Sequence, residues 1–419
     1  MRTSNLARLP GWYLRRRSGT TVLLTWFALR MLAVVVLTTT REQIMVGDVF
    51  YYWRKLSALG EVGLAGTLNE YPTPVVWLLG LPYALVGGHR PGYLVAFILF
   101  MLALDAAFTW AVWRASGPRD GAVEFWLLYV LLLGPLCYVR FDLLPAVLAG
   151  GAVLAARHRP WVAGALTGLG AAIKLWPALL IPAFLAHRPD RKVAGWSFVG
   201  VGIGLALVSL LAGGWRRLVS PLTWQSGRGL QIESVWATPL MLARAVRGNE
   251  WAVDMSRYQA YEVFGPGVAI TLLVSNVATV LGLLAIAALF ARAFRHPAPS
   301  AVPLALVILA TVAIMTVTNK TLSPQYLLWL GGPMAALLVL SSGVTAAERG
   351  LIRTLSWQLL GLALLTHLVY PLLYDGLLGR QGGAMIVVST AVTTVRNLAL
   401  VAFTLEASYL AWSSLSRRR

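Results

Sequence analysis

The chain has 419 residues, of which 58% are hydrophobic and only 12% are charged. Soluble domains have about 45–50% apolar and about 25% charged residues, so this composition excludes a soluble globular enzyme. A membrane-spanning helix needs about 20 mostly apolar residues, and the apolar content therefore suffices for on the order of twelve crossings. Unbroken apolar runs of this length also exclude an outer-membrane barrel. We predict an all-α polytopic membrane protein, a bundle of about 12 transmembrane helices.

The charge balance is strongly basic, with 35 Lys+Arg against 16 Asp+Glu and a formal net charge of +19. The sequence contains no zinc-ligand spacing, basic helix or glycine-rich phosphate loop, so we predict no nucleic-acid partner. The excess is better assigned to membrane topology and to anionic lipid head groups. Cys137 is the one cysteine, which excludes an internal disulfide or a thiolate metal cluster.

The first predicted crossing, 21–40, follows five arginines within the first 17 residues. It is too long for a signal peptide and has no small-residue cleavage site, so we predict a retained helix with the N-terminus in the cytoplasm. Further apolar runs follow at 74–88, 92–113, 121–139, 143–156, 161–186, 193–213, 263–291, 299–318, 324–340, 351–373 and 384–412. Twelve crossings return the C-terminus to the cytoplasm, as the closing arginines 417–419 indicate.

The predicted topology is least regular between residues 74 and 186. The count places Arg157 and Arg159 outside, against the usual preference for basic residues on the cytoplasmic side. A broken or re-entrant helix around Lys174 and Pro177 is the alternative.

Polar segments interrupt the apolar runs on the predicted outer side, at 41–73, 214–262 and 319–323. They divide the chain into an N-terminal helix module over 1–213 that includes the outer loop 41–73, a long outer loop over 214–262 and C-terminal transmembrane helices over 263–419. We expect functional residues where the polar segments meet the membrane surface.

Asp48 is the sharpest candidate for catalysis. It follows the first helix and precedes an aromatic run that includes Tyr51 and Tyr52. A carboxylate beside rings on which a sugar stacks suits a general base that takes a proton from an acceptor hydroxyl. A helix cap within an interfacial aromatic belt explains the same pattern.

Glu70 and Tyr71 precede the second apolar run and could face a site, although the neighbouring prolines also serve simply to start a helix. Lys174 lies in apolar sequence and requires an anionic partner, either a lipid phosphate or Asp142. Asp142 has a second possible partner in Arg140.

Lys320, Gln325 and Tyr326 mark the outer mouth of the tenth helix, with side chains of phosphate- or sugar-binding type, although a lysine there also snorkels to the surface. Arg216 and Arg217 open a long outer loop whose excess of arginine runs against the sidedness preference and indicates an anionic phosphate.

These motifs occur in a recognisable order. They are Asp48 after the first helix, Tyr71-Pro72 before the second, the Arg140/Asp142 pair, Lys174-x-x-Pro177 and the Ser-Pro-Gln-Tyr-Leu-Leu-Trp-Leu run of 323–330. The order resembles the polyprenyl-phosphate-sugar-dependent membrane glycosyltransferases of GT-C architecture. Within them it is most similar to family 87, the actinobacterial mannosyl- and arabinofuranosyltransferases of the phosphatidylinositol mannoside and arabinan pathways.

The resemblance implies that Asp48 acts as base in an inverting displacement at the anomeric carbon, with polyprenyl monophosphate as the leaving group. It makes Lys174, Lys320, Arg140, Arg216 and Arg217 candidates for binding the donor phosphate. The implied substrate-binding residues are Tyr51, Tyr52, Glu70, Tyr71, Asp142, Gln325 and Tyr326. The lipid-linked sugar donor is the co-substrate, no other cofactor or metal site is predicted, and a divalent-metal requirement stays open.

The implied partners are the lipid bilayer, a polyprenyl-phosphate sugar and a glycolipid or lipid-linked glycan acceptor. The implied location is the inner (plasma) membrane, with both termini cytoplasmic and the active site periplasmic. The sequence departs from the family pattern in Tyr71-Pro72-Thr73, where the family has Tyr-Pro-Pro, and in having no histidine from 297 to 366. Mannosyltransferases of the family can carry a histidine ahead of the tenth-helix aromatic, where this chain has Lys320 and Gln325. Mannose is the first candidate sugar that the resemblance implies, and arabinofuranose is the second.

Two other classes of function remain open. A transporter or flippase of a polyprenyl-linked lipid would use Arg30, Asp105 and Lys174 along a pathway. A noncatalytic scaffold would tolerate any residue at position 48.

Overall fold

The computed structural model describes residues 18–39, 45–117, 120–186, 191–248, 250–296 and 300–416. The arginines of the first 17 residues, Glu42, residues 187–190 and the arginines 417–419 lie outside these ranges, and so do the predictions that rest on them.

The helices begin with α1 (Gly19–Thr39), α2 (Gly47–Ser57), α3 (Leu59–Gly66), α4 (Pro74–Leu85), α5 (Arg90–Ala115), α6 (Ala122–Leu133), α7 (Leu136–Val139), α8 (Leu143–Ala155) and α9 (Pro160–Ile173). They continue after a 3₁₀ turn (Trp176–Leu180) with α10 (Ile181–Ala186), α11 (Arg191–Ser226), α12 (Thr238–Arg247), α13 (Val268–Arg295), α14 (Ala301–Thr318), α15 (Leu328–Leu340), α16 (Ala346–His367), α17 (Tyr374–Leu377) and α18 (Gly383–Ser414). Strands β1 (Ala252–Met255) and β2 (Tyr261–Phe264) form an antiparallel hairpin between α12 and α13.

Eight of the described helices are long and apolar enough to cross a membrane. They are α1, α5, α11, α13, α14, residues 324–343 around α15, residues 346–372 around α16, and α18. Five shorter apolar helices accompany them, at Pro74–Leu85, Ala122–Leu133, Leu143–Ala155, Pro160–Ile173 and Trp176–Ala186. The predicted all-α polytopic membrane fold is confirmed.

The predicted crossing at 161–186 is two antiparallel segments. Ser197 Oγ donates to the carbonyl oxygen of Trp161 at 2.7 Å, so α9 and α11 begin at the same end of the bundle. Gly164 and Gly168 of α9 then face successive turns of α11, which makes the two helices parallel. The chain must return between them, and it does so through the 3₁₀ turn and α10.

The reversal occurs at Lys174. Its backbone is extended, with φ −144° and ψ 134°, and the Pro177 ring then packs back against Gly170. Proline lacks the N–H that an α-helix would use, so α9 cannot continue through this point. The broken-helix alternative for this stretch is therefore the one that the structure adopts.

The predicted crossing at 74–88 is not a pass through the bundle. Glu70, before α4, accepts a hydrogen bond from Tyr51 of α2, and the carbonyl of Gly88, after α4, accepts one from Trp53 of α2. Both ends of α4 thus lie against one 11-residue helix. Twelve residues of α-helix are only about 18 Å long, which fits a helix lying across one end of the bundle.

The helix α4 removes one predicted crossing and the reversal at Lys174 adds one, so the number of crossings is unchanged. The direction of each crossing between these two points is reversed. We call the end of the bundle that contains Asp48 the site end. The predicted count put the connector 140–142 at the opposite end, whereas the structure brings Arg140 to Asp48. Arg157 and Arg159 follow α8 at the end opposite to Asp48, whereas the predicted count put them on the same side as Asp48.

The N-terminal and C-terminal helices pack as one bundle. Gly150 of α8 faces Gly332 of α15, and a Cβ added to Gly332 would lie 2.1 Å from the carbonyl oxygen of Ala146. Glycine is required there because the two backbones touch. Tyr129 of α6 also donates to the carbonyl of Leu327.

A buried ion pair lies inside the bundle, between Arg30 and Asp105, and both side chains are 0% exposed. Asp105 also accepts hydrogen bonds from Trp26 and Trp126 at 2.8 Å each, and Arg30 donates to the carbonyl of Leu127 at 2.8 Å. The network is closed on all sides, so we assign these two residues to the architecture.

We expect Arg30→Leu to lower the free energy of unfolding by about 3–5 kcal/mol, because it leaves the Asp105 carboxylate buried without its counter-ion. Thermal unfolding of the purified protein in detergent measures this loss. Arg114→Leu, at the exposed end of α5, is the matched control. Equal unfolding temperatures for the two variants would contradict the assignment.

Candidate active site

A cavity of about 350 Å³ opens at the site end of the bundle. Its walls come from the start of α2, residues 70–71, the connector after α7, the reversal after α9, the end of α11, the hairpin, residues 323–326 and the segment after α16. The cavity brings together eight of the sequence-predicted site residues: Asp48, Tyr51, Glu70, Tyr71, Arg140, Lys174, Gln325 and Tyr326.

Asp48 lies in the first turn of α2, where the helix dipole favours a negative charge. Its side chain is 32% exposed and is ion-paired with Nη1 of Arg140, whose side chain is 15% exposed. Arg140 follows α7 in an extended conformation, with φ −132° and ψ 136°, which points the connector away from the helix axis. Asp48 is therefore both open to the cavity and held by a cation.

Lys174 forms the second ion pair of the site, with Asp142. Trp329 Nε1 donates to the same carboxylate oxygen at 2.8 Å. The ammonium lies 5.1 Å from the ring centroids of Phe141 and Trp329 and 5.8 Å from those of Tyr71 and Tyr326. Cation–π attraction of about 0.5–2 kcal/mol per ring adds to the ion pair and fixes the lysine in one place.

One short connector supplies partners to both ion pairs. Arg140 ends α7 and holds Asp48, and two residues later Asp142 begins α8 and holds Lys174. Asp142 does not line the cavity; it lies behind Lys174 and orients it. The predicted substrate-binding role of Asp142 is replaced by this positioning role.

Glu70 and Tyr51 form a hydrogen-bonded pair in the cavity wall, with Tyr51 Oη donating to Glu70 Oε1 at 2.8 Å. Burial raises the pKa of the Tyr51 hydroxyl, and Glu70 raises it further, so Tyr51 remains a donor. Tyr52 is buried behind this wall, where its ring contacts Tyr71 and Phe97, and it does not line the cavity.

Gln325 provides an open acceptor. Its Oε1 atom is buried and has no hydrogen-bond partner among the described residues, although the side chain lines the cavity. A buried amide oxygen without a partner is unfavourable, so the position suits a ligand hydroxyl. The next residue, Tyr326, stacks on Trp329 with 4.0 Å between ring centroids, which fixes this part of the wall.

Arg217 lies outside the cavity. Its buried guanidinium donates to the carbonyl oxygens of Leu64, Thr67, Leu68 and Tyr71 at 2.8–3.2 Å. It therefore ties α11 to the turn before α4, and we no longer expect it to bind a phosphate.

Arg216 and Lys320 also lie outside the cavity lining. Arg216 is exposed, and the Lys320 ammonium donates to the carbonyl of Ser226 at 3.1 Å. Burial lowers the pKa of Lys320 and Arg228 lowers it further, against the raising effect of Glu262. Neither residue lines the cavity that contains Asp48, so we no longer expect either to bind a phosphate there.

Sequence reasoning missed the cavity-lining residues of two segments, the hairpin and the segment after α16. The hairpin contributes Tyr258 and Tyr261, and the segment after α16 contributes Tyr370, Tyr374 and Arg380. A usable signal was present for the second group, because the predicted helix 351–373 ends on the same side as Asp48. The hairpin gave none, since its strands are only four residues each.

The cavity is electropositive. Its described lining includes the cations Arg54, Arg140, Lys174, Arg228 and Arg380 and the carboxylates Asp48 and Glu70. The Nε atom of Arg228 is buried without a hydrogen-bond partner. No group of three or more His, Cys, Asp or Glu residues that could hold a metal ion occurs within the described part of the chain. The arrangement suits an anionic ligand.

An apolar crevice of about 360 Å³ adjoins the cavity and shares Glu70, Gln225 and Tyr326 with it. Its other walls are mostly apolar, with Leu175, Trp176, Leu179, Pro221, Met315 and Trp329 among them. Polar cavity and apolar crevice therefore meet at Tyr326, next to the Lys174 ammonium.

A search of the curated proteins finds no match to this chain. A scan against protein-family models matches residues 71–274, just under half of the 419 residues, to glycosyltransferase family 87. The matched segment contains Tyr71, Arg140 and Lys174, whereas Asp48 and Gln325 lie on either side of it. The match confirms the resemblance predicted from the sequence, and the chain is consistent with a multi-pass membrane glycosyltransferase of family 87.

Proposed function

We propose that this protein is an inverting glycosyltransferase that moves a sugar from polyprenyl monophosphate to a glycolipid or lipid-linked glycan acceptor. Mannose is the first candidate sugar and arabinofuranose the second. The observation that carries the proposal is the convergence of Asp48, Arg140 and Lys174 on one cavity beside an apolar crevice.

The proposed reaction needs one proton acceptor and fixed positive charge. Asp48 takes the proton from the acceptor hydroxyl, whose oxygen then bonds to the anomeric carbon. The bond between that carbon and the phosphate oxygen breaks, and negative charge develops on the phosphate. Arg140 and Lys174 supply preorganised cations where this charge appears.

The apolar crevice supports a lipid-borne donor. Trp176, Leu179 and Met315 offer an apolar surface to an isoprenoid chain, and Tyr326 marks the boundary with the polar cavity. Leu175, at the edge of the crevice, is 39% exposed on the surface of a bundle of apolar helices. A chain seated there would hold its phosphate near Lys174.

We place the site end on the periplasmic face of the plasma membrane. The short connections at the far end carry basic pairs, Arg157/Arg159, Arg191/Lys192, Arg292/Arg295 and Arg349/Arg353. Short basic connections favour the cytoplasmic side. Both chain ends are then cytoplasmic.

Transport of a polyprenyl-linked lipid receives less support. Two of the three charged residues that a pathway would use, Arg30 and Asp105, are locked together in the closed network inside the bundle. The third, Lys174, faces the cavity at the site end.

The deciding experiment incubates purified protein in detergent with radiolabelled polyprenyl-phosphate mannose or polyprenyl-phosphate arabinofuranose and a glycolipid extract, with and without a chelator. We expect a new labelled glycolipid with one of the two donors. A transporter makes no glycosidic bond in detergent, so an absence of product with both donors would count against the proposal.

We expect Gln325→Ala to raise KM for one substrate about 10-fold or more, because a site that hydrogen-bonds a hydroxyl loses about 1.5 kcal/mol when the acceptor is removed. Steady-state kinetics in each substrate identifies which one Gln325 contacts. Gln358→Ala, on α16 outside the cavity lining, is the control. Unchanged kinetics for Gln325→Ala would contradict the contact.

A further inference from the structure

The proposed base is held by a counter-ion in the described structure. The Asp48 carboxylate is ion-paired with the guanidinium of Arg140. A neighbouring cation stabilises the charged form of a carboxylate, which makes it a weaker proton acceptor. Asp48 must therefore be released from this pair before it acts as a base.

Arg140 lines the cavity and has one side-chain donor without a hydrogen-bond partner among the described residues. Nη1 binds Asp48, whereas Nε is buried without a hydrogen-bond partner. The guanidinium also hydrogen-bonds the Tyr370 side chain. An arginine binds phosphate through two parallel N–H donors, so a phosphate that binds Arg140 in this way displaces Asp48. The side chain lines the same cavity as Lys174, where the donor phosphate is proposed to bind.

Other charged or titratable groups surround the pair. Arg54, Tyr51, Glu70, Lys174 and Arg380 line the cavity with Asp48, and Glu233, Tyr370 and Tyr374 surround Arg140. Glu233 is the other carboxylate that could take Arg140. It is already bound by Arg396, with 2.8 Å between Nη1 and Oε2, and both side chains are 0% exposed. Asp48 lines the cavity and thus competes with an incoming phosphate for Arg140, whereas Glu233 lies outside the cavity lining and is bound through Oε2 to Arg396.

We infer that Arg140 is exchanged between Asp48 and the donor phosphate. This inference rests on the proposed function. Donor binding transfers the guanidinium to the phosphate and leaves Asp48 free to accept the proton of the acceptor hydroxyl. The base is then released only in a cavity that already holds the donor, and the same arginine stabilises the phosphate when the sugar bond breaks.

Competition for one arginine has a thermodynamic signature that binding measurements detect without catalysis. Removal of the competing carboxylate by Asp48→Asn should tighten phosphate binding, since Arg140 then leaves only a neutral amide and no ion pair is broken. The tightening should vanish when Arg140 is absent. Simple repulsion between Asp48 and phosphate predicts instead that the tightening remains in the absence of Arg140, because the repulsion does not involve the arginine.

The test measures binding of farnesyl monophosphate to the purified full-length protein by calorimetry, with farnesol as the uncharged control. We expect Asp48→Asn to tighten binding about 10-fold and Arg140→Gln to weaken it about 10-fold or more. In the Arg140→Gln background, Asp48→Asn should change the affinity less than about 2-fold. Glu61→Gln, an exposed carboxylate of α3, is the charge control.

Arg140→Lys serves as a second variant if Arg140→Gln does not fold, because lysine keeps the positive charge but lacks the two parallel N–H donors of arginine. In that background Asp48→Asn should still tighten binding. Equal tightening in the parent and in the Arg140→Gln background, or no tightening in the parent, would overturn the exchange.

Lys174→Gln separates this inference from the proposed function. If farnesyl monophosphate binding depends on Lys174 and not on Arg140, the donor site stands and the exchange is overturned. If binding depends on neither residue, the proposed donor site and the exchange are both overturned.

Discussion

Asp48→Asn is expected to lower kcat for sugar transfer by about 10²–10⁴-fold, the usual contribution of a general base. The substitution keeps the shape of the side chain and removes its basicity. The amide oxygen of an asparagine at position 48 would still accept a hydrogen bond from Arg140, so the cavity and the unfolding temperature should change little. Radiolabelled transfer under saturating donor and acceptor measures the loss.

Glu61→Gln is the matched control, because it removes a carboxylate from the same predicted loop without touching the cavity. Its kcat should equal that of the parent protein. A parent-like kcat for Asp48→Asn would remove the base assignment, although the electropositive cavity would still suit an anionic ligand. A noncatalytic scaffold predicts no transfer by either protein.

The part of the site that sequence reasoning anticipated consists of polar residues at the ends of apolar runs. Lys174 interrupts an apolar stretch, where a charge is costly without a function or a partner. Asp48, Glu70 and Gln325 lie where polar segments meet apolar runs. Alternation of helix direction then brings such residues to the same end. The position of a polar residue within or beside an apolar run is a local property, which the sequence alone shows.

Arg217 shows where that reasoning stops. An arginine in a polar loop has the same sequence signature whether it binds a ligand or backbone carbonyls. Its partners lie about 150 residues earlier in the chain, on the turn that closes α3. Only the packing of α11 against α3 reveals that its donors are already used, so no sequence pattern distinguished it from Arg140.

The topology between 74 and 186 failed for a different physical reason. Hydropathy measures how apolar a segment is, but not whether the segment passes from one end of the bundle to the other. The 12 residues of α4 are as apolar as a crossing and lie across one end, while the run at 161–186 turns back on itself at Lys174. The proline that closely follows this lysine was the one local sign of that reversal.

Lys174→Met is expected to have the second largest effect, because it removes both a cation for the developing phosphate charge and the counter-ion of Asp142. We expect kcat to fall by about 10²–10³-fold, as for other preorganised electrostatic groups. The unfolding free energy should fall by about 3–5 kcal/mol, because the Asp142 side chain is only 2% exposed. Transfer kinetics and thermal unfolding report the two losses separately.

The double variant Lys174→Met/Asp142→Asn separates catalysis from folding. With both charges removed, no uncompensated ion remains among the four surrounding rings of Tyr71, Phe141, Tyr326 and Trp329. The unfolding temperature should therefore recover most of its loss. The kcat should stay low, since the phosphate still lacks its cation. Recovery of both transfer and stability would mean that Lys174 acts only through the fold. The donor phosphate would then be bound by Arg140 and the other arginines that line the cavity. Lys192→Met, at the far end of the bundle, controls for loss of a lysine as such.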